Sequence, residues 1–132
     1  MVKRFLYHIP WIIWLLIILV LSLLPGDKFP DFKIDWISID SVVHFGMYFV
    51  LSALFLLGFL TFEKKIRKKL NLSNLRLYGV VILVGILIGY AIELIQGNFI
   101  FRRYFDVADI VMNSFGTIFG VIMYSLTGRK LT

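Results

Sequence analysis

The feature that most limits this chain is a succession of apolar runs of about twenty residues each. A helix rising 1.5 Å per residue needs roughly that length to cross the ~30 Å hydrocarbon core of a bilayer. The runs fall at about 5–24, 39–62, 77–96 and 105–126. Hydrophobic residues make up 60% of the chain, above the roughly half typical of soluble domains, so no polar domain is left to enclose the runs. The pattern predicts an all-α, polytopic membrane protein: one four-transmembrane-helix bundle forming a single domain over 1–132. The first run is expected to be retained as a helix. Lys3 and Arg4 give it a basic start, but it is long and has no small-residue cleavage site.

Punctuation between the runs is clear. Pro25 and Gly26 end the first helix, because proline cannot continue it and glycine accepts turn dihedrals. The stretch 27–38 mixes acids with Phe29, Phe32, Ile34 and Trp36 and is expected to lie along the membrane interface with Trp36 as an anchor. His8, Trp11 and Trp14 read as an interfacial belt, and Gly97 with Asn98 as the C-cap of the third helix. The segment 63–76 carries Lys64, Lys65, Arg67, Lys68, Lys69 and Arg76, a solvated basic loop.

Charge sets the expected orientation. The N-terminus, the 63–76 loop and the C-terminus with Arg129 and Lys130 hold most of the basic residues, while the other loops hold Lys28, Lys33, Arg102 and Arg103. The positive-inside rule then places both termini in the cytoplasm of a bacterial cell, with the chain multi-pass in the cytoplasmic membrane. The net charge of +6 is confined to short loops facing anionic lipid, a poor arrangement for nucleic acid. Membrane lipids are the expected surroundings, and oligomeric state is left open.

In that orientation the start of the second helix, the end of the third and the start of the fourth share the outer leaflet. Asp40, His44 and Tyr48 are spaced four apart on one helix face. Glu93 and Gln96 close the third helix, Arg102 and Arg103 occupy the turn, and Asp106, Asp109 and Asn113 open the fourth. Ionisable groups at membrane depth are expensive and face one another or a polar cavity. Left ionised, Glu93 requires a partner, with Arg103, Arg102 and His44 the candidates; without one its pKa is expected to rise towards neutrality. Gly85 and Gly89, and Gly116 and Gly120, form small-residue stripes expected to pack the third and fourth helices as a tight hairpin.

Three functional readings follow from this convergence. In the first, Asp40, Gln96, Arg102, Arg103 and Asn113 bind an anionic envelope lipid or lipid-linked glycan, the arginines holding phosphate or carboxylate. Any chemistry would use Glu93 or His44 as general base, with Asp106 and Asp109 positioning a donor group or offering oxygen ligands to a divalent metal such as Mg²⁺. Whether the protein is an enzyme stays open. There is no cysteine and no HExxH or phosphate-cradling glycine loop, so no metal or cofactor is assigned from spacing. In the second, the polar residues only lock the bundle or dock a partner. The third, ion transport, fits less well, because no matching acid or base lines the other half of any helix.

These residues, Asp40-x-x-x-His44, Glu93-x-x-Gln96 and Arg103-x-x-Asp106-x-x-Asp109-x-x-x-Asn113-x-x-Gly116-x-x-x-Gly120, resemble the VanZ-like family of small bacterial membrane proteins over about 40–120. Ser41 stands where that family commonly has lysine. The resemblance implies a multi-helix membrane protein, and its founding member is associated with resistance to the glycopeptide antibiotic teicoplanin. It implies no established reaction.

Overall fold

Pro10 fixes where the first helix starts, since a residue without an amide proton is best placed at the first helical positions, whose N–H groups have no intrahelical partner. The computed structural model describes residues 6–26, 33–34, 37–66 and 72–131. Within them α1 runs Ile9–Ser22, α2 Ile39–Ile66, α3 Leu72–Phe99 and α4 Val107–Leu131. The only extended backbone among the described residues is a two-residue ladder before α2, in which β1 (Lys33–Ile34) pairs antiparallel with β2 (Ile37–Ser38). The fold is all-α in its load of regular structure.

Three of these helices are long and apolar enough to cross a membrane, over Ile39–Leu60, Leu75–Phe99 and Val107–Thr127. The fourth apolar helix, α1, has 14 residues, roughly 21 Å of rise against a core of ~30 Å. Within the expected first span of 5–24, the described helix is therefore the shorter Ile9–Ser22. Pro10 stands in its first turn and Pro25 follows its end; Leu6 ahead of it has helical backbone, and Phe5 lies outside the described residues. The other three exceed their apolar runs because flanking Glu63, Lys64 and Lys65, and the residues from Leu72 onward, continue the helix. Trp36, Lys3, Arg4, Lys28 and the basic residues 67–69 lie outside the described residues.

Gly97 is not a C-cap. The helix continues through it to Phe99, and Asn98 donates from Nδ2 to the Leu94 carbonyl at 2.7 Å. A Cβ at Gly97 would crowd Phe105, so this glycine lets the returning chain close against the helix. The left-handed residue of the turn is Arg102, at φ 56°.

The helices pair by backbone proximity. In lipid there is no hydrophobic force between apolar helices, and small residues that let backbones approach supply the contact. Gly85 faces Thr117 and Gly89 faces Asn113, so the α3 glycines meet α4 as expected. The α4 glycines do not return the contact. Gly116 lies against the Phe45 carbonyl of α2, and Gly120 against Ser52 Oγ and the Phe49 carbonyl. The expected mutual hairpin is corrected to a relay: α3 packs on α4 through its own glycines, and α4 packs on α2 through a second glycine stripe. The α2–α4 interface is the most extensive in the fold. Trp14, half-buried, donates from Nε1 to the Met47 carbonyl at 2.9 Å and fastens α1 to α2, so it belongs to the bundle rather than to a belt.

Two apolar clusters fill the bundle, one around Ile18, Met47, Tyr48, Leu51 and Ile92, the other around Leu56, Leu60, Val81, Val121 and Tyr124. The outer face of α3 leaves Leu83 and Leu87 58% and 56% exposed. Large apolar residues this exposed, along a helix of span length, make a surface for lipid tails.

Gly116→Leu should destabilise the protein by about 1–3 kcal/mol through overpacking, read as a lowered unfolding midpoint in detergent. Gly46, with open space at its Cβ position, provides the contrast: Gly46→Ala should hold or raise the midpoint.

Candidate functional site

The start of α2 is fixed by its cap. Ser38 Oγ accepts from the Ser41 backbone N–H at 3.0 Å, satisfying one of the helix's unpaired amides. From this start, Asp40, Ser41, His44 and Tyr48 project into the bundle's end, and each of the first three meets a different partner. Ser41 Oγ donates to Asp109 Oδ1 of α4 at 2.6 Å. His44 Nδ1 lies 3.1 Å from Asn113 Oδ1 of α4. The other ring nitrogen, Nε2, faces away, toward Asp40 Oδ1 at 3.8 Å. Asp40 Oδ2 accepts from Arg103 Nη1 at 2.6 Å.

The end of α3 approaches from the other side. Glu93 is fully buried. Its Oε2 accepts a long hydrogen bond from the Asp106 backbone N–H at 3.4 Å, while Oε1 lies 3.6 Å from His44 Nδ1 without a hydrogen bond. Gln96, also buried, donates from Nε2 to the Ser22 carbonyl at 2.8 Å. That bond satisfies one of the carbonyls that the end of α1 leaves without an intrahelical partner.

The α3–α4 turn completes the site. Gly26 donates its N–H to the Phe101 carbonyl at 3.1 Å, and a Cβ on Gly26 would collide with the Arg102 carbonyl. The turn thus rests on the residues just past α1, where only glycine fits. Arg103 reaches inward to Asp40 and, through Nε, to the Leu24 carbonyl at 3.5 Å. Arg102 is exposed, its guanidinium 5.3 Å above the Phe101 ring. Asp106 is exposed as well, and its Oδ1 caps α4 by accepting from the Ala108 N–H at 2.8 Å.

Of the residues singled out in the sequence, the fold brings Asp40, His44, Glu93, Arg103, Asp109 and Asn113 into one cluster. Gln96 is turned toward α1. Arg102 and Asp106 stand outside, so Asp106 and Asp109 do not form a pair around one point. Two participants were not identified from spacing. Ser41 follows Asp40 and precedes His44 by three positions, the helical signal that it shares their face; Ser22 contributes a backbone carbonyl, which no side-chain pattern reveals. Beside the cluster, a cavity of about 110 Å³ is lined by Asp40, His44, Ser22 and Arg103 together with Leu21, Ile39, Val43 and Met47.

A family model described as VanZ/LLP1 matches residues 4–128. No curated protein and no solved structure matches the chain.

Asn113→Leu should leave the His44 ring without its acceptor and cost about 1–3 kcal/mol of stability. A double-mutant cycle with His44→Ala should return a coupling of about 0.6–2 kcal/mol, measured by reversible unfolding in mixed micelles.

Proposed function

Because the chain belongs to the VanZ/LLP1 family, we propose that the polar end of its bundle binds the anionic headgroup of an envelope lipid or lipid-linked glycan. The observation that carries this reading is the mixed lining of that cavity. Asp40, His44 and Arg103 line it together with Leu21, Ile39, Val43 and Met47, a combination suited to a lipid where headgroup meets chain. At about 110 Å³ the cavity is well below the ~300–1,000 Å³ of pockets that enclose a whole small ligand. It therefore holds part of a headgroup, and the rest of the ligand stays in the bilayer.

The residue roles follow from access. Arg102, exposed on the adjoining turn, supplies the first cation met by an arriving phosphate or carboxylate, and Arg103 supplies the second behind Asp40. Gln96 and Asn113 hold the helix ends that frame the cavity. If binding is followed by chemistry, His44 and Glu93 are the general-base candidates, with Asp109 and Asp106 at the start of α4 positioning a donor group. The basic residues at the N-terminus, around the α2–α3 connection and at the C-terminus support a bacterial cytoplasmic membrane location with this site at the outer leaflet and, with α1 and its flanking residues as a fourth crossing, both termini inside. The teicoplanin resistance associated with the founding member of the family is an envelope property and supports the same ligand class.

A second reading, a non-enzymatic scaffold or partner-docking protein, is favoured by one observation. Ser41 and Asp109, His44 and Asn113, and Gln96 and the Ser22 carbonyl satisfy each other across helices, as a bundle-locking network would.

Native mass spectrometry of the chain in mild detergent separates the two. The wild type should retain an anionic lipid, and Arg102→Gly should lose most of it. The same change relieves a left-handed non-glycine residue, worth about 1–2 kcal/mol, so its unfolding midpoint should hold or rise. Equal lipid retention in Arg102→Gly, Arg103→Ala and Glu93→Gln would move the protein to the scaffold reading. For orientation, a fluorescent protein fused at the C-terminus should light up in the cytoplasm, while alkaline phosphatase fused after Phe101 should be active outside.

A further inference from the structure

We propose that Asp40, His44 and Asp109 form a binding site for one divalent transition-metal ion of the zinc or manganese class. This inference shares Asp40, His44 and the adjoining cavity with the lipid reading, but needs no lipid to be present.

Each of the three residues offers one ligand atom, and those atoms lie within 4.8 Å of one another. A cation among them would draw each inward by less than about 1 Å to reach the ~2.0–2.2 Å of nitrogen and carboxylate ligation. The hydrogen bonds around the trio leave that possibility open. Arg103 occupies Asp40 Oδ2 and Ser41 occupies Asp109 Oδ1, so each carboxylate keeps one oxygen outside those bonds. His44 is oriented for the purpose: in the tautomer whose Nδ1–H donates to Asn113 Oδ1, the Nε2 lone pair faces the Asp40 side. A ligating histidine commonly has its other ring nitrogen anchored by a carboxylate or amide in this way.

The second, independent observation is Glu93. It is 0% exposed, its Oε1 has no hydrogen bond, and that oxygen sits 3.6 Å from His44 Nδ1. A buried carboxylate oxygen this close to the Nδ1 edge of the ring places negative potential behind the imidazole, which favours a cation on its Nε2 side. Charge agrees with this. Asp40, Glu93 and Asp109 gather around His44, with Arg103 paired to Asp40, and a bound cation offsets carboxylates brought together at membrane depth. The cavity lined by Asp40 and His44 gives the ion a path and room for water to fill its remaining positions. One imidazole with two carboxylates suits zinc or manganese, whereas magnesium prefers an all-oxygen shell.

The test uses the untagged full chain in mild detergent, stripped with chelator and titrated with ZnCl₂ by calorimetry and with MnCl₂ by electron paramagnetic resonance. One equivalent of metal should bind, with ¹⁴N hyperfine coupling from histidine on the manganese signal. His44→Ala should abolish that coupling, and Asp109→Asn and Glu93→Gln should each weaken affinity by about 10–100-fold at unchanged helix content by circular dichroism. Affinity unchanged in Asp109→Asn, or manganese bound to wild type without histidine coupling, would overturn the proposal. Both of these readings remain decisive if His44→Ala fails to fold.

Discussion

Everything at the polar end depends on how closely α4 can lie against α2. Gly116 and Gly120 let the α4 backbone settle on the carbonyls of Phe45 and Phe49, a separation that any larger side chain would widen. One turn further along the same two helices, Ser41 reaches Asp109 and His44 reaches Asn113 by direct hydrogen bonds of 2.6 and 3.1 Å. Side chains as short as serine and asparagine bridge only helices already in backbone contact. The glycine stripe and the polar pairs are therefore one device: the glycines set the spacing, and the pairs fix the register of one helix against the other. In a bilayer, where apolar surface does not discriminate between partners, such register information has to come from small and polar residues.

The remaining elements are tied to this pair by polar contacts at their ends. α3 meets α4 through Gly85 and Gly89 and delivers the Glu93 carboxylate beside His44. α1 is held at two points, by Trp14 on the Met47 carbonyl and by Gln96 on the Ser22 carbonyl. The α3–α4 turn is anchored by Gly26 and by the Arg103–Asp40 pair. With 14 residues, α1 has little surface of its own to bury. Its position is set by side chains that complete its hydrogen bonding where the helix ends.

The membrane helices and the polar residues at their ends were legible in the sequence because length, hydropathy and four-residue spacing are local properties. Partner choice was not. A small-residue stripe at positions such as Gly116 and Gly120 says that some backbone approaches, and an isolated helix carries no mark of which neighbour it is. The pairing with α2 emerges only when Ser41 and His44 on that helix find Asp109 and Asn113 in register. Turn geometry failed for a related reason. Gly97 looks like a helix stop, but close packing against Phe105 uses its missing side chain, and the left-handed position falls to Arg102, a residue type that composition gives no reason to place there. The shortness of α1 was visible in principle in Pro10, whose effect was outweighed by the unbroken apolar run around it.

The balance of satisfied and unsatisfied groups bears on what the polar end is for. A network evolved only to lock helices gains by pairing every member, since a buried polar atom left alone costs about 1–3 kcal/mol. Here the interhelical pairs are complete where they set register, at Ser41 and at the His44 ring. Yet among the described residues Glu93 Oε1, Asn113 Nδ2, Tyr48 Oη and Ser22 Oγ are buried without a hydrogen-bond partner. Glu93 and Asn113 both flank His44, Tyr48 lies one turn along the same helix, and Ser22 lines the adjoining cavity. Unsatisfied donors and acceptors near one imidazole are a poor way to stabilise a bundle. Their cost is one that a bound polar ligand or ion of the kinds proposed above would offset.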